Sequence, residues 1–523
     1  MKQPMDKALL LLLCVVAVIN LMWMPLSAMP GDPAAMREES RAILFRGELA
    51  ISPAAARAYG DSGQYVVKNE VNGRYYSKYG VMNGLFFTVP LAMERLAEGP
   101  LARGVRGNQV IYLNFFNWGL ALLLAWILYH IAVHFGPTRR QAVLFVLATF
   151  YAGFLWHYLR AQNSEIFQVL LFAAAYLVFL TIVSRRRQNM SDSRWLWGLW
   201  ALVAALELSK ISHVAVGPLL ALGLAVDRRL SAGAAAGSGI RPWGCALAAE
   251  ARRHLLPGGL ALAAPLLLNT IKFGGPWLTG YHVWKTEIVS LHAGVLPGAV
   301  WELLTSVQWG VFFNYPLLLL ALPFLRRWLV RWPVEYGTAA VILVVYVILQ
   351  GMLPTWRGEM GYGPRYFLFA LPLAALPAMD FCQWVSESAG RWKARLAALA
   401  VAVMLGYSLF LQLQVNRTPF FAFYQLRDDA ELPMTAAREA FFRQHSYGRI
   451  YYEYRSGLKR LPWWREIKEI TPDRACRIHE MNADFWLSEA DNYWLATWYA
   501  IRIGSQALPD TASGRVNTGL PQQ

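Results

Sequence analysis

Long apolar runs alternate with short polar stretches along most of this chain. A membrane-spanning helix needs about 20 mostly apolar residues. Runs near that length fall at 8–29, 110–134, 141–158, 165–183, 195–209, 212–226, 255–271, 309–325, 335–353, 366–384 and 394–413. Eleven candidate spans predict an all-α polytopic membrane protein whose transmembrane module covers residues 1–413. Beyond it the pattern changes: 449–454 alternates as a strand does and 436–443 is patterned like a helix. Residues 414–523 are therefore expected to form a small α/β region.

Lys and Arg gather on the cytoplasmic side of a membrane protein, which tests the count of spans independently of hydropathy. With the N-terminus inside, Lys2 and Lys7, Arg139-Arg140, Arg185-Arg186-Arg187, Arg228-Arg229, Arg252-Arg253, Arg326-Arg327 and Arg391/Lys393/Arg395 all fall on one face. Segment 81–97 is apolar enough to span, but counting it would move every later cluster outside. It is therefore expected to be an interfacial or re-entrant helix within a first external loop, 30–109. Conversely, 195–226 divides into two passes at Glu207-Leu208-Ser209-Lys210, which leaves Lys210 near the outer surface. Residues 227–254, with the Ala/Gly/Ser tract 231–239, are expected to be a cytoplasmic linker. An odd number of spans puts the C-terminal region outside.

Composition agrees with this picture. The chain of 523 residues is 56% hydrophobic and only 16% charged, against about 25% charged in soluble domains, which excludes a water-soluble globule. Its 22 Trp residues suit a protein with many membrane–water interfaces. The net charge of +16 is distributed in short clusters between spans, so it reads as topology rather than as a nucleic-acid surface. The four cysteines, Cys14, Cys245, Cys382 and Cys476, are far apart and form no CxxC, indicating neither a disulfide framework nor a zinc site. The first apolar run is longer than a signal peptide's core and many spans follow it, so it is read as a retained signal anchor.

Under this topology acids and bases collect on one face. The external loops hold Asp32, Glu38, Glu39 and Lys78, then 162–165, then Lys210 and His213, then His282, Lys285 and Glu287, and lastly Arg357, Glu359 and Arg365. Asp32 follows the first span closely, so its carboxylate is held at the interface and can act as a general base. Glu165 opens another span, where a carboxylate is costly unless paired or used. Lys78, Lys210 and Arg365 are cations at the same level, suited to neutralising the phosphate of a lipid-linked substrate as it leaves.

Four motifs sharpen this. They are Gly31-Asp32 after the first span with Gly47-Glu48-Leu49 further on, Arg74-Tyr75-Tyr76-Ser77-Lys78-Tyr79-Gly80, Ser164-Glu165, and Gly363-Pro364-Arg365-Tyr366. Together they resemble the GT-C superfamily of membrane glycosyltransferases, in particular bacterial relatives of dolichyl-phosphate-mannose protein mannosyltransferases and of the lipid A aminoarabinose transferase. The resemblance covers roughly residues 8–400. It implies an enzyme of the inner membrane, N-terminus cytoplasmic and C-terminus periplasmic, that moves a sugar from a polyprenyl-phosphate donor to an acceptor hydroxyl with inversion.

It implies Asp32 and Glu165 as catalytic residues, and Arg74, Tyr76, Lys78, Lys210 and Arg365 as ligands of the donor and its lipid phosphate. The acceptor would be a glycan, a lipid or a protein, with an envelope glycan or lipopolysaccharide the first expectation. Two departures leave a divalent metal open: Pro33 follows Asp32 where many relatives carry a second acid, and Ser77 stands where the aminoarabinose branch has a metal-binding Glu. No strand–glycine-rich loop–helix unit for a nucleotide is present. A polytopic flippase or a non-catalytic scaffold of the same architecture is the alternative. Against a transporter, the chain shows no two-half repeat and its chemistry gathers at one surface.

Overall fold

The computed structural model describes residues 6–24, 32–58, 65–98, 108–136, 138–160, 163–231, 240–284, 289–306, 310–356, 363–388 and 392–417. The expected C-terminal α/β region, 418–523, lies outside the described residues. So do Lys2, Gly31, the tract 232–239, Arg391 and the loop residues Gln162, Lys285, Glu287, Arg357 and Glu359.

The described chain is helical almost throughout. It opens with α1 (Lys7–Met22), α2 (Asp32–Arg46) and α3 (Pro53–Ala58), followed by two short strands, β1 (Val66–Lys68) and β2 (Tyr75–Ser77). Then come α4 (Val81–Glu98), α5 (Asn108–His134), α6 (Arg139–Tyr151), α7 (Leu155–Arg160), α8 (Ser164–Arg187), α9 (Ser193–Ser209), α10 (Val216–Ser231) and α11 (Ile240–Phe273). The remainder is α12 (Gly280–Trp284), α13 (Leu296–Thr305), α14 (Val311–Asn314), α15 (Leu317–Ala321), α16 (Leu325–Arg331), α17 (Glu335–Gly351), α18 (Leu371–Ala374), α19 (Met379–Glu387) and α20 (Trp392–Arg417). Five helices among the described residues are long and apolar enough to cross a membrane, and three shorter apolar helices accompany them. Helices suit that role because each satisfies its own backbone polar groups.

Three of the eleven expected spans are not continuous helices. Segment 141–158 breaks between α6 and α7 at Gly153, where a Cβ would lie 2.5 Å from the Tyr315 ring. Segment 309–325 is divided into α14, α15, a 3-10 turn and the start of α16, with prolines at 316 and 323; segment 366–384 is divided around Pro372 and Pro377. Proline lacks the N–H that continues the ladder and clashes with the preceding turn. The expected linker 227–254 also differs: α10 runs on to Ser231, and α11 already includes 240–254. The division of 195–226 falls at Lys210, the C-cap of α9.

Charged groups occupy the two ends of the long helices. On α8, Glu165 lies at one end and Arg185-Arg186-Arg187 at the other; α9 runs from Asp192 to Lys210, and α11 carries Glu250 early and Lys272 late. At 1.5 Å per residue each of these separations is about 30 Å, the thickness of a bilayer core.

At the arginine-rich end the clusters are not simply solvated. Arg186 bridges Asp192 at 2.7 Å and Glu250 at 2.9 Å, Arg253 also pairs with Asp192, and Arg228 reaches Glu250 at 2.6 Å. Arg187 joins Glu335 at 2.6 Å to Asp227 at 3.3 Å. This network ties α8, α9, α10, α11 and α17 together. Burial works against ionisation of Asp192, but hydrogen bonds from Arg253 and Arg186 outweigh it and hold the carboxyl down at about 2.

Candidate active site

The opposite end carries the chemistry. There, β1 and β2 pair antiparallel, with Val66 opposite Ser77 and Lys68 opposite Tyr75. The side chain of Asn69 accepts from Val71 N at 2.8 Å, and Gly73 takes the left-handed conformation (φ 67°) that closes the turn. Residues 78–80, which follow β2, are clamped. A Cβ on Gly80 would sit 2.1 Å from the Leu208 carbonyl oxygen at the end of α9, and one on Gly280 would sit 2.3 Å from Lys78 Cα. Asn83 and Ser209 lock the same junction: Asn83 Nδ2 donates to the Ser209 carbonyl at 2.9 Å, and Ser209 Oγ donates to Asn83 Oδ1 at 2.7 Å.

Asp32 is the first residue of α2, where the helix dipole favours a carboxylate. The hydroxyl of Tyr79 donates a hydrogen bond to its Oδ1. Burial, and the Asp32 carboxylate beside it, push the Tyr79 hydroxyl well above its ordinary value, so it remains a donor at working pH. The Tyr79 carbonyl accepts from Lys272 Nζ at 2.7 Å, and the same ammonium pairs with Glu39 at 2.5 Å. Both charged partners are almost fully buried. Burial pushes the Glu39 carboxyl up, and Lys272 pulls it back.

Lys78 lies among four aromatic rings. Its Nζ is 3.8 Å from the centroid of Trp284, 5.0 Å from Tyr281, 5.2 Å from Tyr79 and 5.9 Å from Tyr65. Ring faces hold a cation without neutralising it. Glu165, in the first turn of α8, pairs with Arg365 at 3.3 Å. Lys210 is half-buried, its Nζ 3.8 Å from the Tyr366 ring centroid.

Asp32, Lys78, Glu165, Lys210 and Arg365 all line one cavity of about 360 Å³. The other two expected ligands do not line it. Arg74 is exposed beside the hairpin turn. Tyr76 packs with Ala50, Val67 and Phe273, and its hydroxyl accepts from Asn72 Nδ2 at 3.1 Å. β2 ends at Ser77, so Lys78 has left the strand and does not follow Tyr76 onto that separate cluster. His213, expected in an external loop, is buried and donates to Gln168 Oε1 at 3.0 Å.

Lys272 and Tyr281 also line the cavity and Trp284 contacts Lys78, and the motifs singled out none of the three. A lone Lys in the last turn of an apolar helix was the available signal for Lys272, since a cation there is costly unless paired.

Among the described residues, the surroundings of Asp32 hold no ready-made cage of three protein ligands for a metal. Tyr79 occupies Oδ1, Pro33 follows, Ser77 supplies no carboxylate, and among the described residues no three His, Cys, Asp or Glu side chains gather as ligands.

Burial pulls the Lys210 ammonium down to about 8, against the raising influence of Glu165. Its charge is therefore present below that pH and lost above it. A phosphomonoester loses its second proton near pH 6, so the ligand's charge no longer changes there. Affinity for a polyprenyl phosphate, measured on purified protein, is expected to fall as pH rises through about 8. Lys210→Arg, which stays charged to about pH 12 or beyond, should remove that fall; an unchanged pH profile would show that Lys210 takes no part in binding the phosphate.

No family model matches the chain, and no curated protein matches it. Among solved structures, it is similar to the oligosaccharyltransferase AglB from Archaeoglobus fulgidus, solved with an inhibitory peptide and a dolichol-phosphate. That match has 12% identity over 88% of this chain and a TM-score of 0.47. This chain spans 60% of the archaeal protein's length. It is also similar to ArnT from Cupriavidus metallidurans bound to undecaprenyl phosphate, at 13% identity, 96% of this chain, 80% of the other and a TM-score of 0.47.

Proposed function

We propose that this protein is an inverting glycosyltransferase that moves a sugar from a polyprenyl-phosphate donor to an acceptor hydroxyl on the non-cytoplasmic face of the membrane. The observation that carries this is one cavity holding a carboxylate oriented by Tyr79 together with Lys78, Lys210 and Arg365. The arginine-rich network about 30 Å away along the same helices supports the orientation, because basic clusters favour the cytoplasmic side.

In this scheme the acceptor oxygen attacks the anomeric carbon as Asp32 takes its proton. The bond from that carbon to the phosphate oxygen breaks, and the electron pair leaves with the phosphate. A phosphomonoester is already a good anionic leaving group, so cations serve it better than a general acid. Lys78 and Lys210, held against ring faces, supply that charge. Arg365 supplies more, with Glu165 holding it in place. The acceptor is proposed to be an envelope glycan or lipopolysaccharide.

The test is transfer of a labelled sugar from defined polyprenyl-phosphate sugars to purified lipopolysaccharide by the full-length protein in membranes. Lys78→Ala is expected to lower transfer by about tenfold or more, the worth of one charge-assisted contact. If wild-type protein uses no prenyl-linked donor, the proposed function is wrong. If Lys78→Ala transfers at the wild-type rate, the phosphate site is misplaced.

A further inference from the structure

Beyond the cations, the same cavity continues along the C-terminal turn of α9 to Glu207, Ser212 and Gln350. Glu207 is 3% exposed, its Oε2 is buried without a hydrogen-bond partner, and no cation lies within salt-bridge distance among the described residues. The Oγ of Ser212 is likewise buried and unpartnered. The Tyr346 hydroxyl donates to the Ser212 carbonyl at 2.8 Å, which fastens this stretch to α17; Gln350 lies one turn further along that helix.

An unpartnered buried carboxylate costs folding free energy, and the neighbouring cations are engaged elsewhere. Lys272 holds Glu39 and the Tyr79 carbonyl, and Lys210 lies against Tyr366. The carboxylate therefore contributes nothing visible to the empty fold and is open to a ligand.

The chemistry of the three groups limits what that ligand is. A carboxyl accepts hydrogen bonds through its oxygens, and a hydroxyl and an amide both donate and accept. A prenyl chain would leave the Glu207 Oε2 and the Ser212 Oγ unpaired, and the oxygens of a phosphate would offer them no donor. An ammonium would enter a cavity already holding Lys78, Lys210 and Lys272. Adjacent hydroxyls of a neutral sugar ring satisfy the set, two of them donating to the two carboxylate oxygens.

We infer that Glu207, with Ser212 and Gln350, forms a subsite for the ring hydroxyls of a neutral sugar, an assignment that rests on the proposed transferase function. The sugar comes either from the donor or from the acceptor glycan. The experiment measures binding of two probes to the purified full-length protein, a bare polyprenyl phosphate and a polyprenyl-phosphate hexose, together with the KM for purified lipopolysaccharide. Wild type, Glu207→Gln and Glu207→Leu are compared.

If the subsite takes the donor sugar, Glu207→Leu weakens binding of the hexose-bearing lipid about tenfold or more and leaves the bare lipid unchanged. Glu207→Gln should fall between. If it takes the acceptor, binding of both lipids is unchanged, while the KM rises by a similar factor and kcat is kept. In either case the ligand-free leucine variant melts no lower than wild type, because no native partner is lost.

The inference is overturned if Glu207→Leu binds both lipids as wild type does with an unchanged KM, or if it weakens both lipids equally. Wild-type protein that binds neither lipid overturns the transferase function itself, and the subsite falls with it.

Discussion

Asp32→Asn is expected to lower kcat for sugar transfer by about 10²- to 10⁴-fold, the usual range for losing a positioned general base, while the affinity for the donor lipid stays within about twofold of wild type. The asymmetry follows from the geometry. Asparagine keeps the size of aspartate and an oxygen that accepts from the Tyr79 hydroxyl, so α2 and the segment 78–80 should not move. What disappears is the capacity to take a proton. Donor binding falls to Lys78, Lys210 and Arg365, of which Arg365 pairs with Glu165. Tyr79→Phe separates orientation from basicity: it removes one hydrogen bond to a charged group, worth about 1.5–3 kcal/mol, and so should cost about 10- to 100-fold in kcat. Single-turnover transfer with saturating donor reads both effects. An Asp32→Asn protein that transfers at the wild-type rate would show that the proton goes elsewhere.

The residues legible in the sequence were those whose position is set locally. Asp32 directly follows a span, Glu165 and Arg365 open helical segments, and Lys210 interrupts an apolar run; each can be placed at a membrane surface by counting spans. The cavity brings these four together with Lys78. Arg74 and Tyr76 were drawn in by the motif that contains Lys78, but Tyr76, inside β2, packs on another cluster, Arg74 is exposed at the turn, and Lys78, past the strand's end, reaches the cavity. A motif gives neighbours in sequence, and the end of a strand can send them to different sites.

What could not be read depends on partners far apart in the chain. Lys78 meets Tyr281 and Trp284, which belong to a helix of five residues placed by the close approach at Gly280. Glu39 looked like one more loop charge because its partner, Lys272, lies 233 residues away. The broken segments 309–325 and 366–384 have the hydropathy of spans, and hydropathy does not register where a proline interrupts the ladder. The basic clusters are legible as short runs between spans, yet their ion pairs with Asp192, Asp227, Glu250 and Glu335 depend on the packing of α8 to α11 and α17.

That distant pair gives the second large effect. Lys272→Met is expected to destabilise the protein by about 3–5 kcal/mol, the cost of leaving one member of a buried ion pair alone. It should also lower transfer activity in the fraction that folds. Glu39 is fully buried and its second oxygen already lacks a partner, so without the ammonium it has no compensating charge among the described residues. The Tyr79 carbonyl loses its donor at the same time, which loosens the residue that orients Asp32. The double variant Glu39→Leu with Lys272→Met distinguishes the two consequences. Replacing both charges by apolar groups of similar size is often neutral for stability, so it should restore thermal stability in detergent while leaving activity reduced, because the carbonyl of Tyr79 still lacks its donor. Recovery of both stability and activity would mean that the pair only fills the core; recovery of neither would mean that Glu39 has a further partner.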